Sequence, residues 1–249
     1  MEQAHKDRPI TVRGLKKSFG QQKVLNGIDL SVARGEVVTV LGRSGTGKSV
    51  LLKLLIGLEK PDEGSICLQN QEIKDLPLDK LNEIRRKVGF LFQQAALYDS
   101  MTIEQNVMFP LVRHTKGTSE EQRMRAHELL SNVGMDSGLD KLPSEISGGM
   151  KKRVGLARAL ALDPEIIMFD EPTAGLDPIS AAEIADLILK LKKERNMTSV
   201  VVTHDLHSAK SISDRLVVLN EGNIAFDGSF DELTKSKDSF VVQFLTDAA

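Results

Sequence analysis

A chain of 249 residues, 41% hydrophobic and 27% charged, has the composition of a folded globular protein and the length for one large α/β domain or two modest ones, which excludes a disordered or fibrous chain. A formal net charge of −2 argues against broad attraction to nucleic acid. The longest apolar stretches, such as Leu51 to Leu58 (interrupted by Lys53) and Ile166 to Phe169, fall well short of the roughly 20 residues that span a bilayer.

The start of the chain, Met1 to Arg8, is polar and charged and reads against a secretory signal. The first elements are strands. Ile28, Leu30 and Val32 alternate with polar residues, and Glu36 to Leu41 is an apolar run ending in a glycine-rich loop. That loop, Gly42-Arg43-Ser44-Gly45-Thr46-Gly47-Lys48-Ser49, fits G-x-x-x-x-G-K-[ST] and stands between this strand and a helical pattern from Val50 to Leu58, the context in which the motif cradles phosphates. The loop's glycines let the backbone wrap closely round an anion, so that N–H groups and the helix N-terminus face it. Lys48 is expected to hold the β and γ phosphates of ATP, and Ser49 to give its hydroxyl to Mg²⁺. Pro61-Asp62-Glu63-Gly64 reads as a turn before a strand at Ser65 to Leu68, in which the single cysteine, Cys67, is a structural residue without disulfide or metal-ligand spacing.

From about Ala95 to Ala161 the pattern is largely helical, an inserted helical subdomain within one domain spanning residues 1–249. Thr118 and Glu121 fit a capping box opening the helix with Ala126, Leu130 and Val133. Ser147 can cap a later helix that carries Met150, Val154, Ala157 and Ala161 on one face, while the basic run Lys151-Lys152-Arg153 reads as a solvated face with no role in the site. Ile166 to Phe169 is a buried strand, and Asp170 at its end is the natural second anchor for Mg²⁺ through coordinated water. Glu171 is placed to orient the water that attacks the γ phosphate, although the dipeptide alone fits a solvated loop acid before Pro172 equally well. Asp177 then caps a helix with Pro178 in its first turn and Ile184, Leu187, Ile188 and Leu191 along one face. A strand at Ser199 to Thr203 and a hairpin at Leu216 to Phe226 complete an alternation that argues for a mainly parallel sheet covered on both faces.

Ile146-Ser147-Gly148-Gly149-Met150 resembles the signature sequence of ABC ATPases, usually Leu-Ser-Gly-Gly-Gln, with Ile for Leu and Met for Gln. Other matches follow in the family's order: Gln93 as the Q-loop glutamine, Ala174-Gly175-Leu176-Asp177 as the D-loop, and His204 in Val202-Thr203-His204-Asp205 as the switch histidine. The resemblance covers nearly the whole chain. It implies a P-loop NTPase (RecA-like) core with an antiparallel β subdomain and the inserted helical signature subdomain. It also implies that Glu171 is the catalytic carboxylate, that His204 donates to the γ phosphate and that Gln93 joins Ser49 and Asp170 around Mg²⁺. Phe19 stands where family members often stack an aromatic on adenine, a place a core Phe would also fill. Ser147, Gly148 and Gly149 would contact the γ phosphate held by a second copy, which implies a head-to-tail homodimer sandwiching two ATP molecules and a single chain that is inactive alone. With every role for hydrolysis filled, a module that binds ATP without turnover is disfavoured. Soluble family members acting on ribosomes or DNA usually carry tandem domains or long coiled-coil insertions, and this sequence shows neither.

Finer detail is similar to the ATPases of MCE-type lipid transporters, the Mla-like systems: Gly42-Arg43-Ser44-Gly45 leading to Ser49-Val50-Leu51-Leu52-Lys53, Phe92-Gln93-Gln94-Ala95-Ala96-Leu97-Tyr98, Met150 ending the signature, and a closing Gln243-Phe244-Leu245. That similarity implies phospholipid transport with a membrane permease, an MCE-domain lipid-binding subunit and a small STAS-domain protein as partners. It implies no nucleic acid, and a peripheral place on the cytoplasmic face of the bacterial inner membrane. Amino-acid, metal or lipoprotein transport uses the same motor and stays open.

Overall fold

The computed structural model describes residues 8–247, so the charged start of the chain lies, apart from Arg8, outside the described residues, as do Ala248 and Ala249. Strands β1 (Ile10–Phe19) and β2 (Gln22–Val32) pair antiparallel, and the alternation read in the sequence holds, with Ile28, Leu30 and Val32 all buried. β3 (Val37–Leu41) is buried at every position, as a parallel strand covered on both faces must be. The glycine-rich loop follows it and leads into α1 (Lys48–Leu55).

This helix ends earlier than the apolar pattern to Leu58 implies. Gly57 adopts φ +65°, and the Leu58 N–H turns back to the Lys53 carbonyl at 2.8 Å, closing the last turn with the left-handed residue that glycine supplies. The expected turn at Pro61 to Gly64 is also shorter than read, because β4 (Glu63–Leu68) already begins at Glu63 and pairs with β1. With β5 (Gln71–Glu72) these strands make a four-stranded antiparallel sheet in the order β2-β1-β4-β5. Cys67 lies in β4, as expected, and its thiol is pushed up by burial.

After α2 (Leu78–Arg85) and β6 (Val88–Leu91) the chain enters its helical section: α3 (Ile103–His114), α4 (Ser119–Asn132), a 3₁₀ turn at Pro143–Glu145 and α5 (Gly148–Ala159). Thr118 and Glu121 form the expected reciprocal cap of α4, and Thr102 with Gln105 makes a second one on α3. Helix begins at Ile103 rather than near Ala95, because Ala95 and Ala96 both hold positive φ, 58° and 49°, in the loop after β6.

β7 (Ile166–Asp170), α6 (Pro178–Arg195), β8 (Thr198–Thr203), α7 (Leu206–Ile212), β9 (Arg215–Asn220) and β10 (Asn223–Gly228) follow, and the chain closes with α8 (Phe230–Thr234) and α9 (Ser239–Asp247). The second sheet runs β10-β9-β3-β8-β7-β6, parallel throughout except for the β9/β10 hairpin. Alternate residues of β7 divide between two cores: Ile166 and Met168 pack with α1 and the antiparallel sheet, Ile167 and Phe169 with the helical section and α6. Leu41, Val218 and Phe244 anchor a third cluster under α9.

This topology sets up the site. β3, β8 and β7 are adjacent and parallel, with Leu41 opposite Thr203 and Asp170 opposite Val202, so the loops leaving their C-terminal ends emerge side by side. Those loops carry Gly42 to Ser49, Glu171 and His204.

Candidate functional site

The glycine-rich loop arches over the start of α1. Gly47 is the N-cap at φ +97°, and a Cβ there would stand 2.9 Å from Val24 and 3.1 Å from that residue's carbonyl, so both conformation and space demand glycine. No side chain caps this helix, which leaves its first N–H groups free for an anion. They face a cavity of about 860 Å³ lined by the loop glycines Gly42, Gly45 and Gly47 with Arg43, Ser44, Lys48 and Ser49. Thr46 stays out of it, its hydroxyl donating to the Arg43 carbonyl at 2.9 Å.

Lys48 is 6% exposed and donates to the carbonyls of Gly42, at 2.8 Å, and Arg43, at 3.0 Å, with a Glu171 carboxylate oxygen 3.7 Å away. Burial pulls the Lys48 ammonium below its ordinary range even with Glu171 and Asp170 acting to raise it. The Ser49 hydroxyl donates to Asp170 at 2.8 Å, joining the end of β7 to the start of α1. Asp170 is pushed up chiefly by burial, with the Ser49 hydrogen bond opposing. A hydroxyl and a carboxylate meeting at this distance are hard oxygen donors that suit Mg²⁺, which takes few protein ligands and completes its shell with water and phosphate oxygens. No group of three or more His, Cys, Asp or Glu side chains placed to hold a metal ion occurs among the described residues.

Glu171 stands one residue beyond β7 with φ +48°, a left-handed conformation unusual for a residue with a Cβ. Its carboxylate accepts from the Thr203 hydroxyl at 3.0 Å and meets His204 Nδ1 at 3.0 Å, so the residues immediately following β7 and β8 stand as a contacting pair. Gln93 and Phe19 line the same cavity from its sides; Phe19 is 46% exposed, with Lys17 Nζ 4.9 Å above its ring, and is therefore not a core residue. Ser147, Gly148 and Gly149 do not line this cavity. Ser147 caps α5 by accepting from the Met150 N–H at 3.2 Å, Ser147 and Gly148 are exposed, and Gly148 lines a neighbouring pocket that shares Gln93 with this cavity. Asp177 caps α6 through the Ile179 and Ser180 N–H groups at 3.1 and 3.0 Å, as its sequence position implies.

Three features were not read in the sequence. Lys152 is not a solvated residue: it is 4% exposed, and its ammonium donates to the Glu171 backbone carbonyl at 2.7 Å. Arg158, also on α5, donates to the carbonyls of Ala95 at 2.7 Å and Ala96 at 2.8 Å, which holds the two left-handed residues that follow Gln93. Arg43, expected at the nucleotide, has its guanidinium paired with the Asp247 carboxylate and 5.8 Å from the Phe240 ring, so α9 packs directly on the phosphate loop. Lys152 could have been found from helical spacing, since it lies three residues after Gly149 and four before Leu156, both buried. Neither of the other two has a local signal.

Residues 25–174 match the ABC transporter family. Over 236 residues the chain is 43% identical to the "Probable ribonucleotide transport ATP-binding protein mkl" of Mycobacterium bovis, covering 95% of this chain and 66%, just under two thirds, of that protein. It is 39% identical to the "Intermembrane phospholipid transport system ATP-binding protein MlaF" of Haemophilus influenzae, covering 95% of this chain and 89% of the other. Among solved structures, a dimeric post-hydrolysis state of an ATP-binding cassette bound to ADP and Pi superposes with a TM-score of 0.83 at 36% identity, over 88% of this chain and 98% of that one.

Proposed function

The chain belongs to the ABC transporter family and carries its ATPase domain, and from that premise we propose that it binds and hydrolyses ATP to drive phospholipid movement in an Mla-like assembly. The observation that carries the ATPase chemistry is the convergence, at the C-terminal ends of three adjacent parallel strands, of Lys48, the Ser49–Asp170 pair and the Glu171–His204 pair. Phosphoryl transfer asks mainly for positioning and charge stabilisation, and these side chains are of the types that supply both.

In this reading the loop N–H groups and Lys48 hold the β and γ phosphates, Lys48 exchanging its contacts with the Gly42 and Arg43 carbonyls for phosphate oxygens. Phe19 offers its exposed face to the adenine. Ser49, Asp170 and Gln93 would hold Mg²⁺, which when bound neutralises developing charge on the transferred group. Glu171 orients the attacking water and His204 donates to the γ phosphate; the contacts that Glu171 now makes with Thr203 and His204 are those it loosens to take up that water. The helices of roughly 95–161 act as a subdomain whose exposed α5 N-terminus, with Ser147, Gly148 and Gly149, completes the site of a second copy head to tail, Asp177 lying at the same junction.

The phospholipid assignment rests on the sequence motifs shared with Mla-like ATPases and on the near full-length match to MlaF. No helix among the described residues is long and apolar enough to cross a membrane. On this reading the ATPase is peripheral on the cytoplasmic face, with a membrane permease, an MCE-domain protein and a STAS-domain protein as partners. The match to mkl supports ribonucleotide transport as the second reading. Affinity purification in mild detergent from native membrane separates them: a permease with an MCE-domain protein and phospholipid is the expected result, and a different permease or a solute-binding protein overturns the lipid assignment while leaving the ATPase standing.

A further inference from the structure

The peptide unit of Glu171 is held as tightly as its side chain, and by a residue outside the phosphate site. The Glu171 N–H donates to the Val202 carbonyl at 2.9 Å, continuing the β7/β8 ladder one residue beyond the strand. Its carbonyl accepts twice, from the Ala174 N–H at 3.3 Å and from Lys152 Nζ at 2.7 Å. The Ala174 bond closes a turn at the head of the segment leading to Asp177, and the left-handed φ of +48° at Glu171 is what aims the carbonyl into it. A left-handed conformation in a residue with a Cβ persists only where surrounding contacts over-determine it. Lys152 supplies the shortest and only charge-assisted one of these backbone contacts.

Burying an ammonium is costly without a partner, and Lys152 is 4% exposed with burial lowering its pKa to about 8. A group retained at such a cost, aimed at a main-chain oxygen of the hydrolytic residue, is placed to fix geometry. Lys152 sits in the first turns of α5, four residues after Gly148, so any displacement of that helix N-terminus is transmitted to the Glu171 peptide.

We propose that Lys152 is a positioning residue for hydrolysis: its ammonium pins the Glu171 carbonyl, fixes the turn from Glu171 to Ala174, and ties the N-terminus of α5 to the water-orienting carboxylate of the same chain. The inference rests on the role of Glu171 given above. Carboxylate misplacement by about an ångström can cost a reaction on the order of a hundredfold, whereas the phosphate-binding groups, Lys48 and the loop N–H groups, are not contacted by Lys152 in any hydrogen bond.

The test is steady-state ATP hydrolysis by the full chain and its Lys152→Met, Lys152→Gln and Glu171→Gln variants, with turnover counted per mole of nucleotide bound so that partial unfolding does not imitate a catalytic loss. For Lys152→Met the expected result is kcat lowered by about tenfold or more with KM for ATP and equilibrium ATP affinity within about twofold. Lys152→Gln, which keeps a polar side chain but has a shorter reach, is expected to show the same split and is the variant read should the methionine protein not fold. Unchanged kcat per bound nucleotide in a folded variant, or KM rising and ATP affinity weakening severalfold along with the fall in kcat, overturns the proposal. Glu171→Gln separates the two levels: turnover surviving in that variant removes Glu171 from the mechanism, whereas its loss there with unimpaired Lys152 variants defeats the Lys152 inference alone.

Discussion

Two helices of this chain begin with glycine at the start of an anion-ready turn, and they differ in everything around that turn. At α1 the N-cap Gly47 offers no side chain, Lys48 is buried beside it, Glu171 lines the other side of an open cavity, and Asp170 accepts from the Ser49 hydroxyl at its edge. At α5 the N-cap Ser147 and Gly148 lie exposed, no acidic residue stands in the first turn, and neither faces that cavity. On the function proposed above, the first N-terminus has its own counter-charge in Lys48 and would hold phosphate within the chain. The second is a bare donor array that would meet the anion of a second copy. That asymmetry would let one chain hold a nucleotide and yet lack part of the surroundings that turnover needs.

The largest expected effect comes from disabling the α1 end without emptying it. Glu171→Gln keeps shape and most hydrogen bonds but removes the carboxylate, so turnover should fall by roughly 10²–10⁴ while ATP affinity changes little. ATP-dependent dimers, visible by size-exclusion chromatography, should accumulate. Retained turnover would mean that the pair Glu171–His204 is structural.

Next is the bare end. Gly148 has room for a side chain within its own chain, where an added Cβ would meet only Leu176 at 3.5 Å, so Gly148→Asp should fold normally. It places a negative charge where a partner's phosphate is expected, and turnover should fall by about 10² while ATP affinity of the isolated chain stays within twofold. A normal rate in that variant would show that α5 does not meet the second nucleotide. The complementary change, Lys48→Ala, attacks the α1 end and should show the reverse pattern. Loss of a charge-assisted phosphate contact weakens ATP binding by about tenfold or more, measured by titration with a fluorescent nucleotide.

The same comparison explains what could be read from the sequence. The α1 end was legible because its function is compressed into eight consecutive residues, Gly42 to Ser49, flanked by a strand and a helix. The strands too were legible, since parallel strands buried on both faces are nearly continuous apolar runs, as in Ile166 to Phe169. Around α5 the charge run misled where helical spacing would not have. Lys151, Lys152 and Arg153 look like one solvated run, but successive helical residues point about 100° apart, and Lys152 turns inward to Glu171 while Arg153 reaches the Val133 carbonyl and Glu183. The grip of Arg158 on Ala95 and Ala96, and of Asp247 on Arg43, joins residues 63, 62 and 204 apart in sequence, distances over which no periodicity carries information.

The smallest expected effect discriminates most finely between a cap and a ligand. Ser147 accepts the Met150 N–H at 3.2 Å, a long bond on an exposed helix end, and its loss as a cap alone costs about 1 kcal/mol or less. In a chain of this length that corresponds to roughly 2–4 °C in Tm, read by calorimetry. Ser147→Ala should therefore leave ATP binding to the isolated chain unchanged and the fold nearly so. If the hydroxyl also reaches a partner's phosphate, turnover falls severalfold more than the small stability loss accounts for, because a transition-state contact is lost as well as a cap. If turnover tracks stability alone, Ser147 serves only α5, and the contact across the dimer belongs to the backbone of Gly148 and Gly149.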